Sequence, residues 1–202
     1  VDADGNDVTE NYDTEDISFG TLKVTPRPIT VKADDDEKTY DGTPLENAGC
    51  KPSDPTAESG LVDGHELIAK AEGTITNAGT AENVVNEPAQ IFAANGDDVT
   101  RNYDIKYDIG TLTVTPRDII VTTDDGTFVY DGDEHYQPSC SADALVDALG
   151  HQLIATNCTL ITNVGESGKE NSLEVKVVDA DGNDTVDGYY LSDNYNIIEW
   201  KN

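Results

Sequence analysis

The chain has 202 residues, with 12 Lys and Arg set against 41 Asp and Glu, a net charge of −29. Such a polyanion repels nucleic-acid phosphates and anionic lipid, which excludes DNA, RNA and bare membrane surfaces as partners. Apolar residues make up 36% of the sequence, enough for a folded chain, and no run approaches the length of a membrane span.

The segment at 1–26 opens on Asp2-Ala3-Asp4-Gly5-Asn6-Asp7 and passes Asn11-Tyr12-Asp13 before Gly20-Thr21-Leu22 and Thr25-Pro26-Arg27. Ile29-Thr30-Val31 is a short β-branched run, followed by the acidic Asp34-Asp35-Asp36-Glu37 and by Tyr40-Asp41-Gly42. Next come Gly64-His65-Glu66-Leu67-Ile68-Ala69 and the bend Gly73-Thr74-Ile75-Thr76. Tyr103-Asp104-Ile105-Lys106-Tyr107 and Leu112-Thr113-Val114 alternate apolar and polar residues, as half-buried strands do. Most of these signals then return. Thr115-Pro116-Arg117 and Tyr130-Asp131-Gly132 follow 90 residues on; Gly150-His151-Gln152-Leu153-Ile154-Ala155 and Ile161-Thr162-Asn163 follow after 86. Asn194-Tyr195-Asn196-Ile197 closes the series. The repeat predicts three stretches: the tail of one unit at 1–26, a complete unit at 27–116, and another at 117–202 that lacks a copy of the Gly-Thr-Leu-Thr-Val strand. The absence of Met, at position 1 included, reads as that of an excised or processed chain, with any export signal or anchor expected outside this window.

These runs, with Asp-Gly and Asn-Gly turns between them, predict an all-β fold of about 90-residue units. Tandem sandwich-like (Ig-like) modules packed end to end are the expected architecture, with a β-grasp-like α+β module as the alternative. The only helical spacing is that of Leu145, Val146 and Leu149 within Ala142–Leu149. Consecutive units meet at Val-Thr-Pro-Arg with no flexible linker, which predicts a semi-rigid rod.

Candidate sites divide between chemistry and architecture. Asp2, Asp4 and Asp7, echoed by Asp179, Asp181 and Asp184, offer the hard oxygens calcium takes. Gly falls at the fourth place of that run and no bidentate Glu closes a twelve-residue loop, so it is no EF-hand. The middle unit keeps the Gly in Ala93-Ala94-Asn95-Gly96-Asp97-Asp98 but loses the first two carboxylates, which favours a turn, with calcium as a weak candidate ligand. The run Asp34–Glu37 reads as a solvated loop, with calcium bridging between modules as its alternative. His65 and His151 hold equivalent places in different units and predict turn chemistry at a strand start; His135 stands alone. Of the three Cys, Cys140 and Cys158 fall in one unit: a disulfide closing a short loop, worth roughly 3 kcal/mol, or two buried thiols, with Cys50 a free core thiol. No nucleophile elbow and no phosphate-cradling loop is present, so the sequence predicts no enzyme. Recurrent Tyr40, Tyr130, Tyr12, Tyr103 and Tyr195 read as core rings. The unrepeated Tyr189, Tyr190 and Trp200 are the candidates for stacking on a sugar or a host protein, Tyr189-Tyr190 lying in an insertion at 187–194.

The order Pro-Arg-x-Ile-x-Val, Tyr-Asp-Gly, Asn-Tyr-Asp-Ile, Gly-Thr-Leu-Thr-Val-Thr-Pro resembles the MBG/YDG-type repeats of bacterial surface and adhesin-like proteins. The resemblance covers nearly the whole chain. It implies an extracellular protein of the bacterial surface or cell wall, in which tandem modules form a stalk and pack on neighbouring repeats of the same chain. The competing expectation is an adhesive module that binds host glycan or matrix protein.

Overall fold

The structure, a computed structural model, describes residues 1–11 and 20–201, apart from the side chain of Glu87. Tyr12, one of the recurrent tyrosines, lies outside the described residues. The described chain is mostly β-strand, arranged in several sheets, with short 3-10 turns and no α-helix.

In the middle unit, β1 (Arg27–Ala33) pairs antiparallel with β3 (Cys50–Pro52) and parallel with β6 (Tyr103–Asp108). A second sheet has the order β2-β7-β5-β4, from β2 (Asp36–Thr39), β7 (Gly110–Thr115), β5 (Gly79–Phe92) and β4 (Glu66–Glu72). Alternation aims Ile29, Val31 and Ala33 of β1 inward, and Leu112 and Val114 of β7. The sheets meet over Val31 and Ala33 on one side and Ala71 and Val85 on the other, with Ile29, Ile91 and Tyr103 as a second cluster. Opposite Ala69 of β4, β5 carries three residues, 87–89, as a bulge that accommodates Pro88, which has no N–H for the ladder. The bulged Ala89 N–H is taken by the Tyr107 hydroxyl (3.0 Å).

The third unit repeats part of this plan. Its β8 (Arg117–Thr123) pairs antiparallel with β9 (Cys140–Ala142) and parallel with β14 (Tyr195–Lys201); β10 (Gln152–Cys158) pairs with β11 (Leu173–Val178). A two-residue hairpin adds β12 (Thr185–Val186) and β13 (Tyr189–Tyr190), turned at Asp187 and Gly188, both with positive φ (52° and 84°). That pair of left-handed residues is the turn a twisted hairpin requires.

Two expectations are corrected. The helical spacing at Ala142–Leu149 produces only a 3-10 turn at Asp147–Leu149. Ala142 is claimed by β9, the N–H of Asp143 goes to Ile120, that of Val146 goes to the Tyr195 hydroxyl, and Gly150 ends the turn in the left-handed region. The α+β alternative has no helix to build on among the described residues. The acidic run is likewise no plain loop: Asp36–Thr39 is strand β2, paired parallel with Leu112–Thr115 of β7. Just before it, Asp35 accepts the Thr111 N–H (2.8 Å) and Lys32 (2.9 Å), and Asp34 pairs with Lys51 (2.9 Å). Acid density here is absorbed by strand ends and by lysines.

Candidate functional site

The link between the units is one residue, Pro116, between β7 and β8. Around it the two units bury a single apolar cluster: Tyr40, Leu45, Leu112 and Val114 from one, with Ile119, Val121, Val146, Val177, Leu191 and Tyr195 from the other. Tyr40, 2% exposed, is the middle unit's main contribution. Its ring stacks on His151 (centroids 6.3 Å apart, 11° between planes) and meets Tyr195 edge-on (5.6 Å, 79°). Polar contacts lock the same face. Asn194 accepts the Ala78 N–H (2.6 Å) and donates to Asn77 Oδ1 (3.1 Å), and the Arg117 guanidinium donates to the Tyr40 carbonyl (3.4 Å).

The floor of the junction is a Tyr–His pair that repeats in both units. The Tyr195 hydroxyl accepts the Val146 N–H (3.1 Å) and meets His151 Nδ1 at 2.7 Å; the Tyr103 hydroxyl accepts the Val62 N–H (3.1 Å) and meets His65 Nδ1 at 2.7 Å. Each hydroxyl thus joins a backbone N–H to a ring nitrogen and ties the imidazole to the chain segment before it. Burial holds the His151 pKa below its ordinary value, against a smaller opposing pull from Asp179. Burial pushes Tyr40 up to about 12 and raises Tyr195 as well. The junction is thus built from rings held neutral. The expected turn precedes each histidine, with Gly64 and Gly150 at positive φ, and the side chain adds a hydrogen bond to Tyr that turn chemistry alone does not give; the signal that reveals it is that the His and the Tyr of each pair both recur in the repeat.

A cleft of about 670 Å³ opens beside the junction. Tyr189, Val186 and Asp187 of the hairpin face Asn77 and Ile75 across it, with His151 and Asp179 also in its walls. One aromatic face, carboxylates and an amide make a surface able to stack on a ring and hydrogen-bond hydroxyls. Of the three predicted ligand-binding aromatics, Tyr189 lines this cleft, and Tyr190 and Trp200 do not. Tyr190 sits exposed beyond it in β13, and Trp200 lies on β14 opposite Val121.

The predicted calcium ligands form turns. Asp2 Oδ1 accepts the N–H groups of Asp4 (3.0 Å) and Asn6 (2.9 Å), and Asp179 Oδ1 accepts those of Asp181 (2.9 Å) and Asn183 (2.8 Å). In each, the Asn side chain also donates to the Asp carboxylate, the foremost reason both carboxyls titrate below their ordinary value. Asp7 is occupied by Thr9, and Asp184 by Lys176 (2.9 Å). Asp4 and Asp181 stay exposed, each lending its own N–H to the turn. Among the described residues no three His, Cys, Asp or Glu converge as a metal-ligating group. His135 is bound to Asp131 (2.9 Å) and stacks on Phe128. Cys50, Cys140 and Cys158 are free thiols; burial, then the neighbouring Cys158, raises Cys140 above its ordinary pKa. Comparison with protein-family models, with curated proteins and with solved structures finds no match.

Proposed function

We propose that this chain is a stalk segment: tandem sandwich-like, Ig-like modules, non-enzymatic, that hold an adhesive region of an exported bacterial surface protein away from the cell. The observation that carries the reading is the cluster shared across Pro116. A hinge at that single residue would expose Tyr40, Leu112, Val114 and Tyr195 to water, at about 25 cal/mol for each Å² uncovered, so the joint resists bending. The acidic surface, with a net charge of −29, keeps such a chain soluble and apart from nucleic acid. No helix among the described residues is long and apolar enough to cross a membrane. The surface setting rests on the motif order that resembles MBG/YDG-type repeats.

Small-angle scattering, at dilutions where the mass is that of one chain, tests the stalk directly. An elongated particle whose shape is unchanged by salt is expected; a compact or freely jointed ensemble overturns it. A second reading has its own observation, the Tyr189-lined cleft beside the junction. There the chain would bind a host glycan or matrix protein as an adhesive module. Saturable binding to a glycan and matrix panel, lost in Tyr189→Ala and kept in Trp200→Ala, would favour it over a purely mechanical role.

A further inference from the structure

In the middle unit the segments 27–39 and 103–115 run side by side in the same direction. Arg27 through Lys32 pair with Tyr103 through Asp108, and Asp36 through Thr39 pair with Leu112 through Thr115. Both halves keep one register, because 103 − 27 and 112 − 36 are each 76. Between the halves the two segments cross together from the first sheet to the second. Gly110 passes so close there that a Cβ would lie 2.5 and 2.6 Å from the carbonyl oxygens of Asp34 and Ala33. The next N–H, that of Thr111, goes to the Asp35 carboxylate (2.8 Å). The result is one parallel ladder from 27 to 39, about 40 Å long at roughly 3.3 Å per residue.

Sequence and packing both favour this ladder. The Thr30 carbonyl accepts the Ser53 N–H (2.7 Å) and the Pro28 carbonyl accepts the Gly60 N–H (2.8 Å), both on the β3 side. By alternation, Ile29 and Val31 turn their N–H and C=O groups toward β6. Pro28, which has no N–H, belongs to the set facing β3 and takes no bond from the ladder. Ile29, Val31, Leu112 and Val114 are all buried, which keeps water from replacing a stretched cross-strand bond. Each end is also pinned. At the entry, the Arg27 guanidinium donates to the carbonyls of Gly60 (2.8 Å), Ala57 (3.1 Å) and Ser59 (2.7 Å). At the exit, the Thr115 carbonyl accepts the Tyr40 N–H (2.8 Å), and the Arg117 guanidinium donates to the Tyr40 carbonyl (3.4 Å). The recurrent Thr-Pro-Arg stands at both places.

The chain enters the ladder at Arg27 on one end and leaves it at Thr115 on the other. Tension along the chain therefore draws 27–39 toward its own N-terminal side and 103–115 toward its own C-terminal side. The two segments are made to slide lengthwise past each other. In that geometry the cross-strand bonds lie across the pull and are loaded together, so none yields until many do. Drawn apart from a single end, the same bonds would open one after another. We propose that this ladder is a shear clamp, and that the middle unit bears tension along the chain without unfolding. The stalk reading supplies only the source of that tension; the clamp itself rests on the register and on where the load enters and leaves. The unit is thus directional, strong when pulled between 27 and 115 and weak when pulled between 27 and 103.

The test is single-molecule pulling on the 202-residue chain along two axes. Handles clicked to p-azidophenylalanine in place of Lys23 and Asp118 load the ladder in shear. Handles in place of Lys23 and Arg101 draw Arg27 and Tyr103 apart from one end of it. All three positions are solvent-exposed, and both labelled chains should keep the circular dichroism and melting temperature of the parent. Should the Arg101 substitution alter either, the exposed Asp104 on β6 serves the same axis. At one loading rate the 23–118 axis is expected to yield at about twice the force of the 23–101 axis or more, since forced unfolding reads the barrier and not the equilibrium stability. A rod by scattering with equal forces on both axes would keep the stalk and remove the clamp; a compact particle with the directional difference would do the reverse. A 23–118 force equal to or below the 23–101 force overturns the proposal.

Discussion

The middle and third units run nearly the same sequence program and each has seven strands, yet two segments that are strands in the middle unit are loop in the third. Asp36–Thr39 and Gly79–Asn83 are strands, and 126–129 and 167–171 are not. Composition does not explain this, because Thr127-Phe128-Val129 has far higher β propensity than Asp36-Glu37-Lys38-Thr39. What differs is the central strand. β7 supplies hydrogen-bond partners on both edges and buries Leu112 and Val114 between the sheets. The lesson is that strand state in this repeat is conferred by the neighbour and not by the segment.

The largest expected break in that comparison is at the junction tyrosines. Tyr40→Ala empties the centre of a shared core and should cost about 3–5 kcal/mol, read as a lowered midpoint in denaturant unfolding. The equivalent Tyr130→Ala changes a ring that is 62% exposed and should stay within about 0.5 kcal/mol. Equal costs would mean that the junction contributes nothing to stability. Next in size is Tyr195→Phe. It keeps the ring but leaves the Val146 N–H without its acceptor inside the protein, which should cost about 1–3 kcal/mol in the same measurement.

Acid should weaken the same joint by a smaller amount. The folded pKa of His151 is depressed by burial, so below its ordinary value of 6.5 the unfolded chain takes up a proton that the folded chain refuses. Unfolded protein then binds more protons, and stability falls as pH drops from about 6.5 toward the folded value; above that window the contribution is complete. Melting temperature between pH 7 and pH 5 should decline, and His151→Gln should flatten the decline. An unchanged slope in that variant would assign the acid sensitivity to the carboxylates.

The sequence made the repeat, the all-β class and most individual strands legible, because alternation in Ile29–Val31, Leu112–Val114 and Leu173–Val178 is a local signal. Three things were hidden. The parallel pairing of β1 with β6 joins residues more than seventy positions apart. The acidic segment Asp36–Thr39 gives no sign of strand until β7 lies beside it. At the candidate site, Tyr189 was visible as an unrepeated aromatic, but the facing wall of its cleft, with Ile75 and Asn77, comes from the other unit. The Tyr–His pairs were within reach: His65 and His151, like Tyr103 and Tyr195, recur at fixed places, and two recurrences of polar groups beside apolar runs mark a buried hydrogen bond. Exposure of Tyr190 and Trp200 carried no such second signal.

The smallest expected effect is that of calcium, and it sharpens the comparison by asking what is common to all three turns. Asp2 and Asp179 head turns in which one carboxylate oxygen takes two backbone N–H groups and the other takes an Asn side chain. The middle unit makes the same turn with Ala93 at its head: the Ala93 N–H donates to the Asp97 carbonyl (2.9 Å), the Gly96 N–H donates to the Ala93 carbonyl (2.8 Å), and Gly96 has φ 87°, against 87° at Gly5 and 86° at Gly182. No carboxylate stands at the head of that turn, so the negative charge is dispensable for the backbone path. A cation would have to compete with three N–H donors for oxygens already engaged, on a surface where its own desolvation is poorly offset. Chelation should therefore leave the melting temperature unchanged, and Asp179→Asn should cost only a few tenths of a kcal/mol, the scale of an exposed hydrogen bond losing its charge. A fall of many degrees on chelation, abolished in Asp179→Asn, would show that the carboxylates at Asp2 and Asp179 hold a metal and that the turn headed by Ala93 is a derivative that has lost it.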